Sequence, residues 1–311
     1  MSTMRLTFLG TGGGVPSIKR GLPAIAINFS GELILFDCGE STQRQMMRAK
    51  VGFKRKLVIF LTHLHGDHVL GLPGLLYTLS MLDRKEPLKI IGPRGTINFV
   101  RRVVGLNVGA INFPIEVREV GEEVAYESRE YFVEARESDH TVISLAYMLR
   151  EKDRPGKMRV EYLEGLGLPR GPLWGRLQRG EPVEWSGRII RPEEAVGPPR
   201  PGRRIVYTGD TRPNERIIEF ARGADVLIHD ATFGPEFERE AAEEGHSTVT
   251  QAARVAAEAG VRRLYLFHIS PRYEDREEQL LEEARKIFPE TYLAEDLKSY
   301  EVPYSREQPT R

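Results

Sequence analysis

Seven consecutive residues, Thr62-His63-Leu64-His65-Gly66-Asp67-His68, limit what this chain can fold into more than any other feature. They follow the apolar run LVIFL (57–61) and precede an apolar, helix-like pattern. Alternation along an extended segment puts His63 and His65 on one side, and Asp67 and His68 then fall on the turn into the helix. Three imidazoles and a carboxylate within six residues are a poor way to build a core and a good way to hold zinc. The chain has only seven histidines, so this cluster is not a by-product of composition.

Three further candidate ligands stand at the ends of strand-like runs: His140 closing VEARESDH, Asp210 closing RIVYTGD and His268 in LYLFHIS. Taken singly, a histidine beside a strand is an ordinary core or surface residue, and an aspartate after a strand is a turn or helix cap. Taken with the first motif, ligands at the ends of neighbouring strands can converge on one rim. A catalytic zinc keeps about three protein ligands and an open position. Seven candidates (His63, His65, Asp67, His68, His140, Asp210 and His268) therefore suit two ions that share a carboxylate and a water.

Strand-like runs cover 5–10, 24–29, 32–37, 57–62, 88–92, 130–136, 142–149, 204–210, 225–230 and 264–269. Helical patterns cover 68–82, 94–104, 213–222, 248–259 and 276–287, the fourth with Ser247 as N-cap and Gly260 just past its end. The first half has hairpin-like spacing and the second alternates strand and helix, which predicts an α/β fold with mixed sheets. Gly10-Thr11-Gly12-Gly13-Gly14 lacks the third glycine and the following helix of a dinucleotide fingerprint, and reads as a tight turn near the site. Residues 151–202 are rich in Gly, Pro and Arg with little periodic apolar signal, and read as an insertion projecting from one domain that spans 1–311.

Composition narrows the partners. The chain of 311 residues is 40% hydrophobic, enough for a large core, and balances 45 basic against 45 acidic residues, so any nucleic-acid surface must be local. Two such stretches are 41–56, with six Lys or Arg and no acid, and 150–191, with ten basic against six acidic residues. Each is either a solvated face or a phosphate-tracking surface. Cys38 is the only cysteine, which predicts a reducing, cytoplasmic setting, and no leader or membrane span is expected. His229 in HDATF and His246 in GHST are either ordinary, a strand-end histidine and one in a helix-capping loop, or parts of the site.

HLHGDH with His140, Asp210 and His268 downstream resembles the metallo-β-lactamase superfamily, which implies a four-layer αββα sandwich with a dimetal site at one edge. Over about Met4 to Val302 the chain resembles its ribonuclease Z family: GTGGGVPS, TGDT (208–211), HDATF (229–233), HST (246–248) and FHIS (267–270) match in kind. GLGLPRGPLWGRLQRGE (165–181) resembles the flexible arm with which that family grips tRNA. The resemblance implies a zinc-dependent endoribonuclease that removes the 3′ trailer from precursor tRNA and leaves a 3′-hydroxyl, acting as a homodimer with each arm serving the other subunit. It implies one Zn2+ on His63, His65 and His140, another on Asp67, His68 and His268, and Asp210 between them. Asp67 is then the general base, His246 the group that protonates the leaving oxygen and Asp230 its orienting carboxylate. RNA contacts fall to Lys19, Arg20, Arg170, Gly171, Pro172, Arg176 and Arg179.

Two positions depart from the family pattern. Gly21 stands where the N-terminal motif has Asn, and Asp230 stands for Glu, one methylene shorter toward His246. The competing readings are a small-molecule metallohydrolase (phosphodiesterase, thioesterase or lactonase) on the same fold and a non-catalytic RNA-binding module. The arm separates the first from the nuclease, because a small substrate has no need of it; the intact ligand set opposes the second.

Overall fold

A computed structural model describes residues 3–53, 56–105 and 111–304. Lys54 and Arg55 of the first basic stretch lie outside the described residues. Strands β1 (Arg5–Gly10), β2 (Ala24–Phe29), β3 (Glu32–Phe36), β4 (Lys56–Phe60), β5 (Leu88–Gly92) and β6 (Ile115–Glu119) belong to one sheet. β7 (Val124–Glu127), β8 (Tyr131–Ser138) and β9 (Ser144–Glu151) open the second sheet, and β10 (Val183–Trp185) and β11 (Arg188–Ile190) pair as a separate hairpin. β12 (Arg204–Tyr207), β13 (Val226–Asp230), β14 (Leu264–Phe267) and β15 (Thr291–Leu293) complete the second sheet, while β16 (Ser299–Glu301) returns to pair with β1 in the first.

Both sheets are mixed, as the sequence pattern predicts. β1 to β3 are antiparallel neighbours and β3 to β6 are parallel; β12 to β15 are parallel and β9 runs antiparallel to β12. The parallel run in the first half requires crossovers, supplied by α1 (Thr42–Ala49), α2 (Gly66–Val69), α3 (Gly71–Met81) and α4 (Thr96–Val104). Hairpin-like spacing therefore describes only part of that half. Helix α1 occupies the basic stretch: its cations face outward while Thr42, Gln45 and Met46 are buried.

The layers follow from strand alternation. In β3, Ile34 and Phe36 enter the core between the sheets, and Leu33 and Leu35 enter a second core under α1, α3 and α4. A strand covered on both faces reads as an unbroken apolar run, and ELILF does so. After α5 (Val160–Gly165), α6 (Pro172–Gln178) and α7 (Pro192–Ala195) come α8 (Glu215–Ala221), α9 (Glu238–Glu244), α10 (Val249–Ala259) and α11 (Glu277–Arg285). Of these, α8, α10 and α11 cover the outer face of the second sheet in a third core. The architecture is the four-layer αββα sandwich.

Residues 151–202 form a compact unit of their own, distinct from the unit made by the rest of the chain. Little periodic signal does not mean little structure here: α5, α6, α7 and the β10–β11 hairpin enclose a small core of Leu163, Leu168, Leu177, Val183, Ile190 and Ala195. These elements run three to seven residues, too short to write a period into the sequence. The cap of α10 is corrected. Thr248, not Ser247, accepts from Gln251 N at 3.2 Å, while Gln251 Oε1 accepts from Thr248 N at 2.9 Å. Ser247 instead donates to the Thr211 carbonyl at 2.7 Å, and Gly260 closes the helix in the left-handed region as expected. Among the described residues no helix is long and apolar enough to cross a membrane.

Candidate metal centre

The C-terminal ends of parallel strands converge at one rim, where loops can place functional side chains. His63 and His65 follow β4, Asp210 follows β12, Asp230 ends β13 and His268 follows β14. At Gly209, φ is +59° and an added Cβ would stand 2.8 Å from the Thr62 side chain, so the turn delivering Asp210 requires glycine. The Gly-rich loop is tied to the segment after β14 by Gly13 N to Ile269 O (3.2 Å) and Ile269 N to Thr11 O (3.1 Å). Gly13 passes so close to the site that a Cβ there would lie 2.3 Å from His268 Nδ1. Gly14 N then donates to Asp67 Oδ2 at 2.9 Å. The tight turn lies beside the site, as its sequence suggests.

All seven candidate donors come together. One group is His63, His65, His140 and Asp210, and a second is Asp67, His68 and His268, each with donor atoms within 4.8 Å of one another. Asp210 Oδ2 sits between them, 3.5 Å from His63 Nε2, 3.3 Å from His68 Nε2, 3.4 Å from His268 Nε2 and 4.0 Å from His140 Nε2. His68 Nε2 and His268 Nε2 are 3.3 Å apart, as are His65 Nδ1 and His140 Nε2. Two nitrogens sharing a tetrahedral zinc at about 2.0–2.1 Å stand roughly 3.4 Å apart, so the spacing fits metal coordination. Two buried atoms support the same conclusion: His63 Nε2 and Asp210 Oδ1 have no hydrogen-bond partner, an arrangement costly in a core and expected of atoms reserved for a cation.

The ring orientations are fixed from behind. His140 Nδ1 donates to the Gly245 carbonyl at 2.7 Å, which leaves Nε2 for the cluster. His268, held at φ +62°, has its Nδ1 2.8 Å from Thr232 Oγ1. His68 Nδ1 is 2.8 Å from Asp37 Oδ2. Asp37 is a functional residue that sequence reasoning missed. Buried and left-handed at φ +57°, its carboxylate also accepts from Thr62 N (2.7 Å), Thr62 Oγ1 (2.9 Å) and Tyr207 Oη (2.8 Å). Its sequence signal, an acid closing the run ELILFD, is shared with many turns.

The electrostatics suit ligands. Burial, with neighbouring His68, depresses His63 far below the usual imidazole range, and burial also lowers His65 and His140, so these rings offer neutral lone pairs. Burial opposes ionisation of Asp67 and Asp210, but the surrounding imidazoles outweigh it and hold both carboxyls below their ordinary range. For His68 burial is outweighed by Asp210 and Asp37, which raise it; the cluster thus already stabilises positive charge at its centre.

His246 lies beside this centre, with its ring stacked on His268 at 5.2 Å. Asp210, His246 and His268 also form a third donor group, but His246 Nδ1 is committed to Asp230 Oδ2 at 2.8 Å. The shorter aspartate therefore still reaches. Asp230 is itself fixed by Thr211 N (3.0 Å), Thr232 N (3.0 Å) and Thr232 Oγ1 (2.7 Å). Burial works against a charged His246, but Asp230 outweighs it and pushes the ring up to about 9. His229 points elsewhere: it is buried, and its Nδ1 pairs with the Asp230 carbonyl at 2.7 Å.

The basic residues divide. Lys19 is exposed and pairs with Asp275 at 2.8 Å. Arg20 is corrected as an RNA contact. Its guanidinium is buried, paired with Glu277 at 2.7 Å and donating to Thr11 Oγ1 (2.5 Å) and the Ala294 carbonyl (2.6 Å), so it anchors the Gly-rich loop. In the inserted unit, Arg170 pairs with Glu164, and Arg176 and Arg179 with Glu181; all three are exposed, as are Gly171 and Pro172.

Known proteins resemble this chain in sequence and fold. A family model described as a beta-lactamase superfamily domain matches residues 170–269, and one described as anti-Pycsar protein Apyc1 matches residues 4–100. The Ribonuclease Z of Methanosarcina acetivorans is 48% identical over 304 residues, covering 98% of this chain and 100% of that protein. That of Methanosarcina mazei is 49% identical over 303 residues, covering 97% and 99%. The solved structure of human tRNase Z, short form, aligns with a TM-score of 0.70 and 29% identity, covering 96% of this chain and 99% of that one.

Proposed function

We propose, from the premise that the chain belongs to the ribonuclease Z family, that this endoribonuclease removes 3′ trailers from precursor tRNA. It hydrolyses one phosphodiester and leaves a 3′-hydroxyl on the tRNA. The observation that carries the reading is the seven-donor cluster around Asp210 with the His246–Asp230 pair at its side. Two zinc ions, one on His63, His65 and His140 and one on Asp67, His68 and His268 with Asp210 between, would supply Lewis-acid stabilisation to the phosphoryl oxygens and acidify the attacking water.

The chain's own residues do the rest. Asp67, held ionised by the neighbouring imidazoles against burial and oriented by Gly14 N, accepts the proton of the attacking water. His246 donates a proton to the departing 3′-oxygen; Asp230 raises its affinity for that proton and holds its Nδ1 so that Nε2 faces the substrate. Asp37 orients His68. The unit at 151–202 binds the tRNA body: Arg170, Arg176 and Arg179 exchange exposed carboxylate partners, which hold them weakly, for phosphates. Gly171 and Pro172 shape that turn, and Lys19 contacts RNA nearer the cut. The protein acts in the cytoplasm as a homodimer, one subunit's inserted unit serving the other's centre.

The test is incubation with a 3′-extended precursor tRNA and, separately, with the same trailer joined to an unstructured RNA. The reading expects a single cut in the first and little in the second. Equal cutting of both, or of neither, refutes it.

A further inference from the structure

We infer that Arg272 is the stacking platform for the nucleobase on the leaving side of the cut, that of the last nucleotide the tRNA retains; the inference rests on the ribonuclease Z reading above. Arg272 lies in the short turn Pro271–Tyr273, just after His268. Its guanidinium carbon is 4.9 Å from the centre of the Phe233 ring and 4.8 Å from that of Phe237, and Nη2 donates to Glu240 at 3.0 Å. The two ring centres are 6.4 Å apart. Seen from the guanidinium they therefore stand roughly at right angles, not on opposite faces. The group is braced on one side, and its side chain remains 37% exposed.

The position of this brace relates it to the chemistry. Phe233 is buried and its ring is 6.0 Å from that of His246. A line of rings thus runs from His268 through His246 and Phe233 to the exposed guanidinium. If His246 protonates the departing 3′-oxygen, the ribose carrying that oxygen lies against His246. The base on that ribose then extends toward the same side.

Two groups of an RNA could meet Arg272 there, a phosphate or a base. A phosphate wants a cation it can claim, but the Arg272–Glu240 pair, with side chains 37% and 38% exposed, is less open to exchange than the more exposed pairs of Arg170, Arg176 and Arg179, and Glu244 acts on Arg272 as well. A second anion would meet those carboxylates. A base makes no such demand. The guanidinium plane is weakly hydrated and stacks on any base, and single-stranded RNA ends are read by such stacking. Lysine would keep the charge and lose the plane.

The experiment measures kcat/KM on precursor tRNA for the wild type, Arg272→Ala and Arg272→Lys, each with a normal and an abasic nucleotide at the retained end. The wild type should lose about tenfold or more on the abasic substrate. Arg272→Ala should show a similar loss on the normal substrate and little further loss on the abasic one, and Arg272→Lys should behave like Arg272→Ala, all with unchanged melting temperatures. Wild-type activity in Arg272→Lys overturns stacking in favour of charge. So does an Arg272→Ala defect that persists undiminished on the abasic substrate. A wild type that cuts both substrates equally sinks this inference alone, whereas one that cuts neither sinks the ribonuclease reading with it.

Discussion

Replacing Asp37 by Asn isolates the contribution of the carboxylate behind His68. The position is left-handed at φ +57° and buried. Asn tolerates that backbone about as well as Asp and has nearly the same shape, so the change removes charge and one acceptor and little else. In the wild type the carboxylate serves Thr62 N, Thr62 Oγ1, Tyr207 Oη and His68 Nδ1 at 2.7–2.9 Å. An amide NH2 must face one of these donors. The hydroxyls can turn to accept from it, but the charge-assisted bond to His68 becomes a neutral one, and the ring loses its firm orientation. Losing such a partner of a metal-binding histidine typically costs 10–100-fold in metal affinity, about 1.4–2.7 kcal/mol. The assay is competition with a chelator, with retained metal read by elemental analysis. A metal affinity within about threefold of wild type would refute the argument that Asp37 positions His68.

The remaining expectations concern different parts of the molecule. His246→Ala should lower turnover by about 10²–10⁴ while metal content and melting temperature stay near wild type; unchanged turnover rules out the proton-donor role. Glu32 joins the two sheets, accepting from Tyr131 Oη at 2.6 Å and from Lys56 and Ser128. Burial raises its carboxyl, but these bonds outweigh burial and hold it below the ordinary range. Its contribution is therefore present above the unfolded-state carboxyl pKa and is lost as pH falls through the lower folded value. Glu32→Gln should cost on the order of 1–3 kcal/mol at neutral pH and flatten the acid side of the melting profile; a wild-type profile would count against the tie. Excising 152–201 should leave the metals in place, because Arg150 and Arg204 are paired across β9 and β12 and a short hairpin can close the gap. Precursor tRNA affinity should fall and its salt dependence weaken, and unchanged affinity would remove the unit's assigned role.

What the sequence revealed, and what it concealed, follows from how far each feature reaches. The cluster of candidate donors was legible because histidine and aspartate at strand ends have a chemical signature independent of packing. The resemblance assigns Arg20 to RNA, but its burial is not legible locally, because its partners Glu277 and Ala294 lie 257 and 274 residues away and only the tertiary fold brings them to it. Asp37 was invisible for the same reason: His68 reaches it from α2 and Tyr207 from β12. The helix α1 looked like a bare charge run because only three of its eight residues are buried. β15 and β16, at three residues each, are too short to show alternation, and the small core of the inserted unit is built from equally short pieces.

In the proposed centre, seven side chains would hold two ions with Asp210 shared between them. Elemental analysis of the wild type and of Asp210→Ala, each prepared with metal in excess, tests it most directly. The wild type should hold two ions per chain, and Asp210→Ala should lose both or keep only weak and variable occupancy. A single ion in the wild type, or two firmly bound ions in Asp210→Ala, would contradict it.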